Sequence, residues 1–274
     1  MSDPSDTELL EAARAGAADA LEALLRREEG RVYRFARRLC RHREDAEDVL
    51  QESLLAVARG LAEFRGASSL DTWLYTIARS FCIKKRRRRR FAPVEVSLET
   101  DAAGAVERKD PARGPDEILD AARLEAAVER AIGALDPPYR DVLVLRDVEG
   151  LTAPEVGEVT GLSVAAVKSR LHRARARLRD ELAPLLVRRG KAVPAARPCP
   201  DVVHLLSRHL EGDISARVCA RMEEHLASCP RCRAACDTLK QALRLCRTTP
   251  APEVPPEVQD KLRGAIKRVL GGAP

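Results

Sequence analysis

The sequence predicts an all-α protein, and three observations support this fold class. Aromatic residues make up only 3% of the 274 residues, so the cores must be built from leucine, valine and alanine, which favours small helical units. Apolar residues recur at helical spacing along most of the chain, and no segment alternates in the pattern of a strand. Segments rich in proline and glycine interrupt the helical pattern, which indicates several domains joined by linkers.

The interruptions divide the chain into five predicted segments. Two larger helical domains come first, then a small cysteine-containing helical domain and a short amphipathic tail. The acidic segment between the first two domains is aperiodic and is expected to be a flexible linker. The predicted bounds are residues 1–92 for the first domain, 93–122 for the linker, 123–190 for the second domain, 198–247 for the third, and 248–274 for the tail, with Val258, Leu262, Ile266 and Val269 in helical register.

Two amphipathic helices are expected in the first domain. In "EDAEDVLQESLLAVARGLAEF" the apolar stripe contains Leu50, Leu54, Val57, Ala58 and Leu61. A second stripe follows at Leu70, Trp73, Leu74, Ile77 and Phe81. The polar residues Asp48, Gln51 and Glu52 share a different face of the first helix.

The second domain carries a helix-turn-helix pattern. Thr152 and Glu155 form the capping box of its first helix, Gly161 ends that helix, and Ser163 caps the next one. The second helix is predicted to bury Val164, Val167, Leu171, Ala174, Leu178 and Leu182. The residues left for base edges and phosphates in a major groove are Ala166, Lys168, Ser169, Arg170, Arg173, Arg175 and Arg177.

Basic residues concentrate in two blocks, although the net charge is only +6. One is "KKRRRRR", Lys84–Arg90, and the other is Lys168–Lys191, with nine basic and two acidic residues. Two separated basic blocks on an otherwise acidic chain predict two contacts with a polyanion. The alternative is that each block is simply a solvated face.

The third domain contains the ligand types and spacing of a metal site. In "HLASCPRC", His225 and Cys229 lie four residues apart, on one face of a helix, and the following turn brings Cys232 to the same point. Zinc is the metal that such ligands favour. "CPRC" also resembles a thiol–disulfide exchange pair, but that motif needs a βαβ context, which the sequence does not predict.

The sequence resembles the extracytoplasmic-function sigma factors of bacterial RNA polymerase. "DAEDVLQESLLAV" and "FRGASSLDTWLYTIARS" resemble their region 2, and "ALDPPYRDVLVLRDVEGLTAPEVGEVTGLSVAAVKSRLHRARARLRDEL" resembles their region 4. The spacing C-x25-H-x3-C-x2-C resembles the zinc-binding anti-sigma domains. That resemblance implies one zinc ion held by Cys199, His225, Cys229 and Cys232. Cys219, or His204 or His209, could replace Cys199 as the fourth ligand, and Cys40, Cys82, Cys236 and Cys246 are expected to be packed thiols.

The sigma-factor resemblance implies roles for the polar and basic residues. Asp48, Gln51 and Glu52 match the surface that docks on the clamp helices of core RNA polymerase. The segment Phe64–Ser80 matches the part that melts and recognises the promoter −10 element, where Trp73 is either a stacking platform or a core residue. The opened strands would be held by Lys84, Lys85, Arg86 and Arg87, and the −35 element recognised by Lys168, Ser169, Arg170 and Arg173.

Two residues depart from the family pattern. Ser80 stands where the family often has Asn, so the base preference at −10 is open. Thr160 stands where the family usually has Leu before the turn glycine, which weakens the packing of the first helix slightly.

Three roles are open for the third domain. It can inhibit as a tethered anti-sigma domain, because tethering gives a local concentration of roughly millimolar and lets even weak intramolecular docking mask the sigma regions. It can instead be needed for metal-dependent activity, or it can be purely structural. In the inhibitory role, metal loss or thiol oxidation would release the sigma regions.

Other functional classes fit the sequence less well. It has no phosphate-binding glycine loop and no catalytic triad pattern, so we do not expect an enzyme. No apolar run approaches the roughly 20 residues that span a bilayer, and we expect a cytoplasmic protein without a membrane partner. The alternative function is a helix-turn-helix regulator that acts without core polymerase.

Overall fold

The computed structural model describes residues 4–64, 66, 68–91, 115–186, 199–249 and 252–271. Every regular element within these ranges is a helix, which confirms the all-α prediction. Most of the predicted linker and most of the second interruption, at Lys191–Pro200, lie outside the described residues. The chain forms two compact units, Met1–Ala102 together with Ala251–Pro274, and Ala103–Pro250.

The first unit is a helical bundle that includes the predicted C-terminal tail. Its interior is built from leucine, valine and a few aromatic side chains such as Phe35 and Tyr75, which pack at a ring-centroid distance of 4.9 Å. The first predicted stripe is buried at Leu50, Leu54, Val57 and Leu61. The elements are α1 (Asp6–Arg14), α2 (Ala18–Cys40), α3 (Arg43–Gly60), a 3-10 turn (Leu61–Glu63), α4 (Leu70–Phe91) and α12 (Pro256–Gly271).

The buried face of α4 differs from the predicted stripe. The structure buries Leu74, Tyr75, Ala78 and Cys82. It leaves the other members of the predicted stripe only partly buried: Leu70, Trp73, Ile77 and Phe81. The reason is that α4 packs against both α2 and α3, so the contact face turns toward the groove between them. These four apolar side chains therefore form a partly exposed stripe on α4, beside its buried face.

The tail helix α12 packs on α3. Its predicted register is right, because Val258, Leu262 and Ile266 are all buried. Arg43 Nη2 lies 3.3 Å from Glu257 Oε1 at the edge of this contact. The predicted tail is thus an integral part of the first unit.

The second unit combines the helix-turn-helix domain with the cysteine-containing domain. The helix-turn-helix part contains α5 (Pro115–Ala134), α6 (Pro137–Leu143), a π-helical segment (Val144–Val148), α7 (Ala153–Thr160) and α8 (Val164–Leu186). Helix α5 begins inside the predicted linker. The remaining part, here called the C-terminal module, runs from Cys199 to Thr249 and contains α9 (Val202–Leu210), α10 (Ala216–Ser228) and α11 (Pro230–Thr248).

The helix-turn-helix forms through the predicted local signals. Thr152 and Glu155 make the capping box of α7, and Gly161 ends α7 with a left-handed φ of 72°. The Ser163 hydroxyl accepts a hydrogen bond of 3.2 Å from the backbone N–H of Ala166. A Cβ on Gly157 would lie 2.8 Å from the Leu162 carbonyl oxygen, so the close approach of turn and helix requires glycine there.

Helix α8 is the centre of the second unit. Its predicted stripe is buried at Val167, Leu171, Ala174, Leu178 and Leu182, whereas Val164 is 38% exposed. Val164 is the first residue of α8, before the part of the helix whose apolar side chains are buried. Helices α5, α6 and α7 pack on α8, and so do α9 and α11 of the C-terminal module.

Candidate functional site

The four predicted metal ligands lie together in the C-terminal module. The ligand atoms of Cys199, His225, Cys229 and Cys232 all lie within 4.8 Å of one another. Cys199 precedes α9, His225 is on the last turn of α10, and Cys229 and Cys232 begin α11. The alternative ligands have other neighbours: Cys219 Sγ lies 3.1 Å from His209 Nδ1, and His204 contacts His172.

The chemistry of these four residues fits a metal ion. The Nε2 atom of His225 is buried and has no hydrogen-bond partner, as expected for a nitrogen that binds a metal. Burial and the neighbouring Cys199 and Cys229 raise the pKa of Cys232 to about 12, since three thiolates cannot coexist here without a compensating cation. A soft divalent cation with a tetrahedral preference, such as zinc, matches three sulfurs and one imidazole.

The predicted DNA-contact residues on α8 separate onto two faces. Ser169, Arg173 and Arg177 are exposed, and Ala166 and Arg170 are partly exposed. Arg177 pairs with Asp136 and lies over the Tyr139 ring at 4.7 Å. On another face of α8, the predicted contacts Lys168 and Arg175 lie at positions i and i+7, with His172 between them at i+4. All three side chains contact the C-terminal module.

Arg175 is the centre of a buried ion cluster, so its predicted contact with DNA does not match the structure. Its side chain is 1% exposed. It donates to Asp147 through Nε at 2.9 Å and Nη2 at 2.7 Å, and Nη2 also donates to Glu211 Oε1 at 2.7 Å. Its Nη1 donates to the Ser207 hydroxyl at 2.9 Å.

The charges in this cluster compensate one another. Burial lowers the pKa of the Arg175 guanidinium, but Asp147 and Glu211 outweigh this effect, so its pKa is raised and it stays charged. Arg146 Nε lies 3.1 Å from the second carboxylate oxygen of Glu211, whose side chain is 4% exposed. The cluster therefore joins the helix-turn-helix domain to α9 through two basic and two acidic side chains.

A second ion pair joins the start of α8 to the turn after α9. Lys168 Nζ lies 2.6 Å from Asp213 Oδ1. The turn is fixed by Gly212 at a φ of 68° and by Arg208, which donates a 2.7 Å hydrogen bond to the Asp213 carbonyl oxygen. The acidic turn thus holds a lysine that the sequence predicts to contact promoter DNA.

Two imidazoles lie between these ion pairs. The rings of His172 on α8 and His204 on α9 meet edge to face at a centroid distance of 4.3 Å. The Nδ1 atom of His172 is buried without a hydrogen-bond partner. Burial, followed by the nearness of His204, lowers the pKa of His172, so this environment favours the neutral imidazole of His172.

The predicted polymerase-binding residues lie on α3 beside a lysine of α4. Lys85 Nζ lies 2.5 Å from Asp48 Oδ2 and 3.4 Å from Glu52 Oε1. Asp48 remains 59% exposed, and Gln51 is partly exposed on the same helix. Burial lowers the pKa of Lys85, but the two carboxylates outweigh burial and raise it. Lys85 is therefore held in an ion cluster, whereas the prediction had it free to contact DNA.

The remaining predicted residues of the first unit lie along α4. Trp73 is partly buried and stacks on Phe64, with ring centroids 4.8 Å apart. Ser80 is exposed, and its hydroxyl donates to the Ile77 carbonyl oxygen at 2.7 Å. In the basic run, Lys84 and Arg87 are exposed, and Arg86 is partly exposed.

The sequence did not identify the acidic partners of α8. Asp147, Ser207 and Glu211 lie 28, 32 and 36 residues from Arg175 along the chain, so no local pattern pairs them. The available signal was the acidic turn Glu211–Asp213 in a module that follows a strongly basic helix.

None of the helices of the described residues meets both the length and the hydropathy requirements of a membrane span.

Family models match three parts of the chain. The model for Sigma-70 region 2 matches residues 24–92, and the model for Sigma-70 region 4 matches residues 125–178. The family model described as "Putative zinc-finger" matches residues 199–233. A solved structure described as "Structure of CnrH in complex with the cytosolic domain of CnrY" is 29% identical, with a TM-score of 0.46, and the match covers 66% of this chain and 96% of that one.

Several relatives are sigma factors. The ECF RNA polymerase sigma factor SigE of Mycolicibacterium smegmatis is 34% identical over 59% of this chain and 61% of its own length. The ECF RNA polymerase sigma factor SigM of Mycobacterium tuberculosis is 34% identical over 64% of this chain and 83% of its own length. RNA polymerase sigma factor CarQ of Myxococcus xanthus is 32% identical over 64% of this chain and 97% of its own length. The chain therefore belongs to the ECF sigma factors of the sigma-70 family, and its C-terminal module matches a zinc-finger family model.

Proposed function

We propose that this sigma factor is inhibited by its own C-terminal module, which docks on the −35-recognition helix α8. The observation that carries the proposal is the pair of ion contacts between them, Lys168 with Asp213 and Arg175 with Glu211. Inhibition is one of the three roles that the sequence leaves open. Metal-dependent activation and a purely structural role are outcomes of the test below.

The masking is steric. The major groove of B-DNA is about 12 Å wide, and an α-helix with its side chains is about 10–12 Å across, so the groove admits one helix. Helix α9 packs along one flank of α8, where Lys168, His172 and Arg175 face it. With α9 in place, we expect the module to collide with a DNA strand when the exposed residues Ser169 and Arg173 approach base edges.

The masking is also electrostatic. The carboxylate of Asp213 occupies the ammonium group of Lys168, a hydrogen-bond donor that a phosphate oxygen would otherwise use. A polyanion can take Lys168 only after the acidic turn has left it. The apparent affinity for the promoter therefore scales with the fraction of chains whose module is undocked.

One zinc ion, held by Cys199, His225, Cys229 and Cys232, is proposed to keep the module in its docking shape. Zinc would supply the positive charge that holds three thiolates and an imidazole together. These ligands connect the start of α9 to the junction of α10 and α11. Loss of the ion would free α9, and with it Ser207 and Glu211, from its fixed position.

The remaining contacts follow from the sigma-factor family. Asp48, Gln51 and Glu52 are proposed to dock on the clamp helices of core polymerase, where Asp48 and Glu52 would exchange Lys85 for basic partners. The half-exposed side of α4, with Trp73 and the exposed Ser80, would meet the −10 element. The opened strands would be held by Lys84, Arg86 and Arg87, and the −35 element by Lys168, Ser169, Arg170 and Arg173. Such a factor acts in transcription initiation, in the cytoplasm, and is not itself an enzyme.

Run-off transcription with core polymerase on a promoter library tests the proposal. The full chain and a shortened chain that lacks residues 189–251, so that the module is removed but α12 of the first unit is kept, are compared, each with and without a zinc chelator. Inhibition predicts that the shortened chain is more active than the full chain, and that the chelator raises the activity of the full chain alone. Equal activity in all four conditions would leave the module a structural role. A full chain that is more active than the shortened one, and that loses activity with the chelator, would show activation.

A further inference from the structure

Two cysteines of region 2 lie in contact inside the first unit, away from the zinc ligands in sequence and in a different unit. Cys40 is the last residue of α2, and Cys82 lies on the buried face of α4. Their sulfur atoms are 2.8 Å apart. Cys40 is 4% exposed and Cys82 is 0% exposed, so both thiols are enclosed by the helical core.

The geometry favours a bond between these two sulfurs over a bond to any partner outside the unit. A disulfide has a sulfur–sulfur distance of about 2.05 Å, so closing the present gap requires a movement of only about 0.8 Å, within reach of small side-chain rotations. Helices α2 and α4 pack directly on each other, so their backbones already lie close enough for this contact. Burial keeps other thiols and large reagents out.

We propose that Cys40 and Cys82 are a redox site that forms an intramolecular disulfide when the protein meets a small two-electron oxidant such as hydrogen peroxide. In the first step, one thiol loses its proton, the thiolate sulfur attacks a peroxide oxygen, and the O–O bond breaks; the sulfur keeps one oxygen as a sulfenic acid, and the departing hydroxide takes up the released proton and leaves as water. In the second step, the other thiol displaces the sulfenic oxygen as water and the S–S bond forms. Overall, two thiols and one hydrogen peroxide give one disulfide and two waters. The reaction is slow, because the oxidant enters only when the core opens locally.

The disulfide would affect the segments that region 2 uses in transcription. It would close a loop that contains all of α3, with the polymerase-facing residues Asp48 and Glu52, and the α3–α4 connection with Phe64. It would also fix α4 to α2 immediately before the basic run that begins at Lys84. The chain would then have two independent thiol systems, a buried pair in region 2 and the metal ligands of the C-terminal module. This inference does not depend on masking by the module.

Peptide mapping of the full, zinc-loaded chain tests the inference. The chain is treated with hydrogen peroxide, free thiols are alkylated after denaturation, and the protein is cleaved with trypsin without reductant. Trypsin releases Cys40 in the peptide Leu39–Arg41 and Cys82 in the peptide Ser80–Lys84. We expect these two peptides joined, with a mass two hydrogens below the sum of the two, and separated again by a reductant.

Matched variants separate this bond from other oxidation. Cys40→Ser and Cys82→Ser should each lose the joined peptide, whereas Cys246→Ser, which replaces a buried thiol of α11, should keep it. Because serine places a hydroxyl in the core, Cys40→Ala and Cys82→Ala are made in parallel, and circular dichroism checks their helix content. The oxidised wild type should also melt at a higher temperature, and reduction should reverse this shift. Two results would overturn the inference. One is that both peptides are recovered fully alkylated although peroxide has already oxidised the zinc ligands. The other is a joined peptide that pairs Cys40 with another cysteine.

Discussion

The substitution Glu211→Gln should release the C-terminal module from α8 while changing the structure very little. Glu211 is almost fully buried, and its carboxylate takes one hydrogen bond from Arg175 and one from Arg146. Glutamine keeps the shape of the side chain but removes the charge. Asp147 would then be the remaining carboxylate that compensates the charge of Arg175 in this cluster, because a glutamine oxygen accepts only a neutral hydrogen bond.

The loss of docking free energy in Glu211→Gln follows from the contacts that Arg175 keeps. Breaking a buried ion pair costs about 3–5 kcal/mol when one charge is left without a partner. Here Asp147 still neutralises Arg175, so the loss is closer to that of one charged hydrogen bond, about 2 kcal/mol. Since each 1.4 kcal/mol is tenfold, the docking equilibrium should shift by about 30-fold toward the undocked state.

Run-off transcription by full-length protein with core polymerase measures the effect. As long as the module is mostly docked, transcription should rise in proportion to the undocked fraction, up to about 30-fold. Glu223→Gln is the matched control, because Glu223 is an exposed acid on α10 of the same module. It should change transcription less than twofold, as expected for an exposed surface charge. If Glu211→Gln had no more effect than Glu223→Gln, the ion cluster would not hold the module in its inhibitory position.

Three further outcomes are expected. Asp213→Asn should raise transcription less than Glu211→Gln does, by about fivefold at most, because the Lys168–Asp213 pair is partly exposed and such pairs contribute about 1 kcal/mol or less; the reverse order would contradict the assignment. Docking should weaken as the pH falls below about 6.5, the usual pKa of histidine. In the docked state, burial and the nearby His204, Arg173 and Arg175 lower the pKa of His172 against the opposing effect of Asp201, so protonation of His172 favours the undocked state. The substitution His172→Asn should therefore flatten the pH dependence of hydrogen exchange in α8. Gly157→Ala should lower the unfolding free energy by about 1–3 kcal/mol through its clash with the Leu162 carbonyl, whereas Gly133→Ala, at a helical position with open space around it, should be neutral or stabilising in a thermal melt.

Local signals in the sequence predicted the parts of the fold that depend on neighbouring residues. The capping box of Thr152 and Glu155, the left-handed Gly161 and the Ser163 cap all form as expected, because each involves residues within a few positions. The clustering of Cys199, His225, Cys229 and Cys232 was predictable for a similar reason, since three of the four lie within eight residues. The buried stripe of α8 follows from its helical period.

Features that depend on distant partners were not predictable in the same way. A helical pattern shows that α12 is amphipathic, but it does not say that α12 packs on α3. The period of α4 gave a stripe, but the double contact with α2 and α3 rotated the buried face by about one position. Arg175 looked like a DNA contact because its neighbours are basic, and only the folded chain brings Asp147 and Glu211 to it. A basic residue on a recognition helix is therefore free for DNA only if no acidic element of the same chain reaches it first.

The most direct test is zero-length carbodiimide cross-linking of the zinc-loaded full chain, followed by mass spectrometry. The reagent joins an ammonium and a carboxylate in contact, as Lys168 and Asp213 are at 2.6 Å, and the Lys85–Asp48 pair at 2.5 Å is the internal control in the free chain. If the module excludes DNA, the Lys168–Asp213 link forms in the free chain and disappears when the chain is assembled with core polymerase on a promoter. The same yield of this link in the promoter complex would show that the docked module and bound DNA coexist, which would contradict masking.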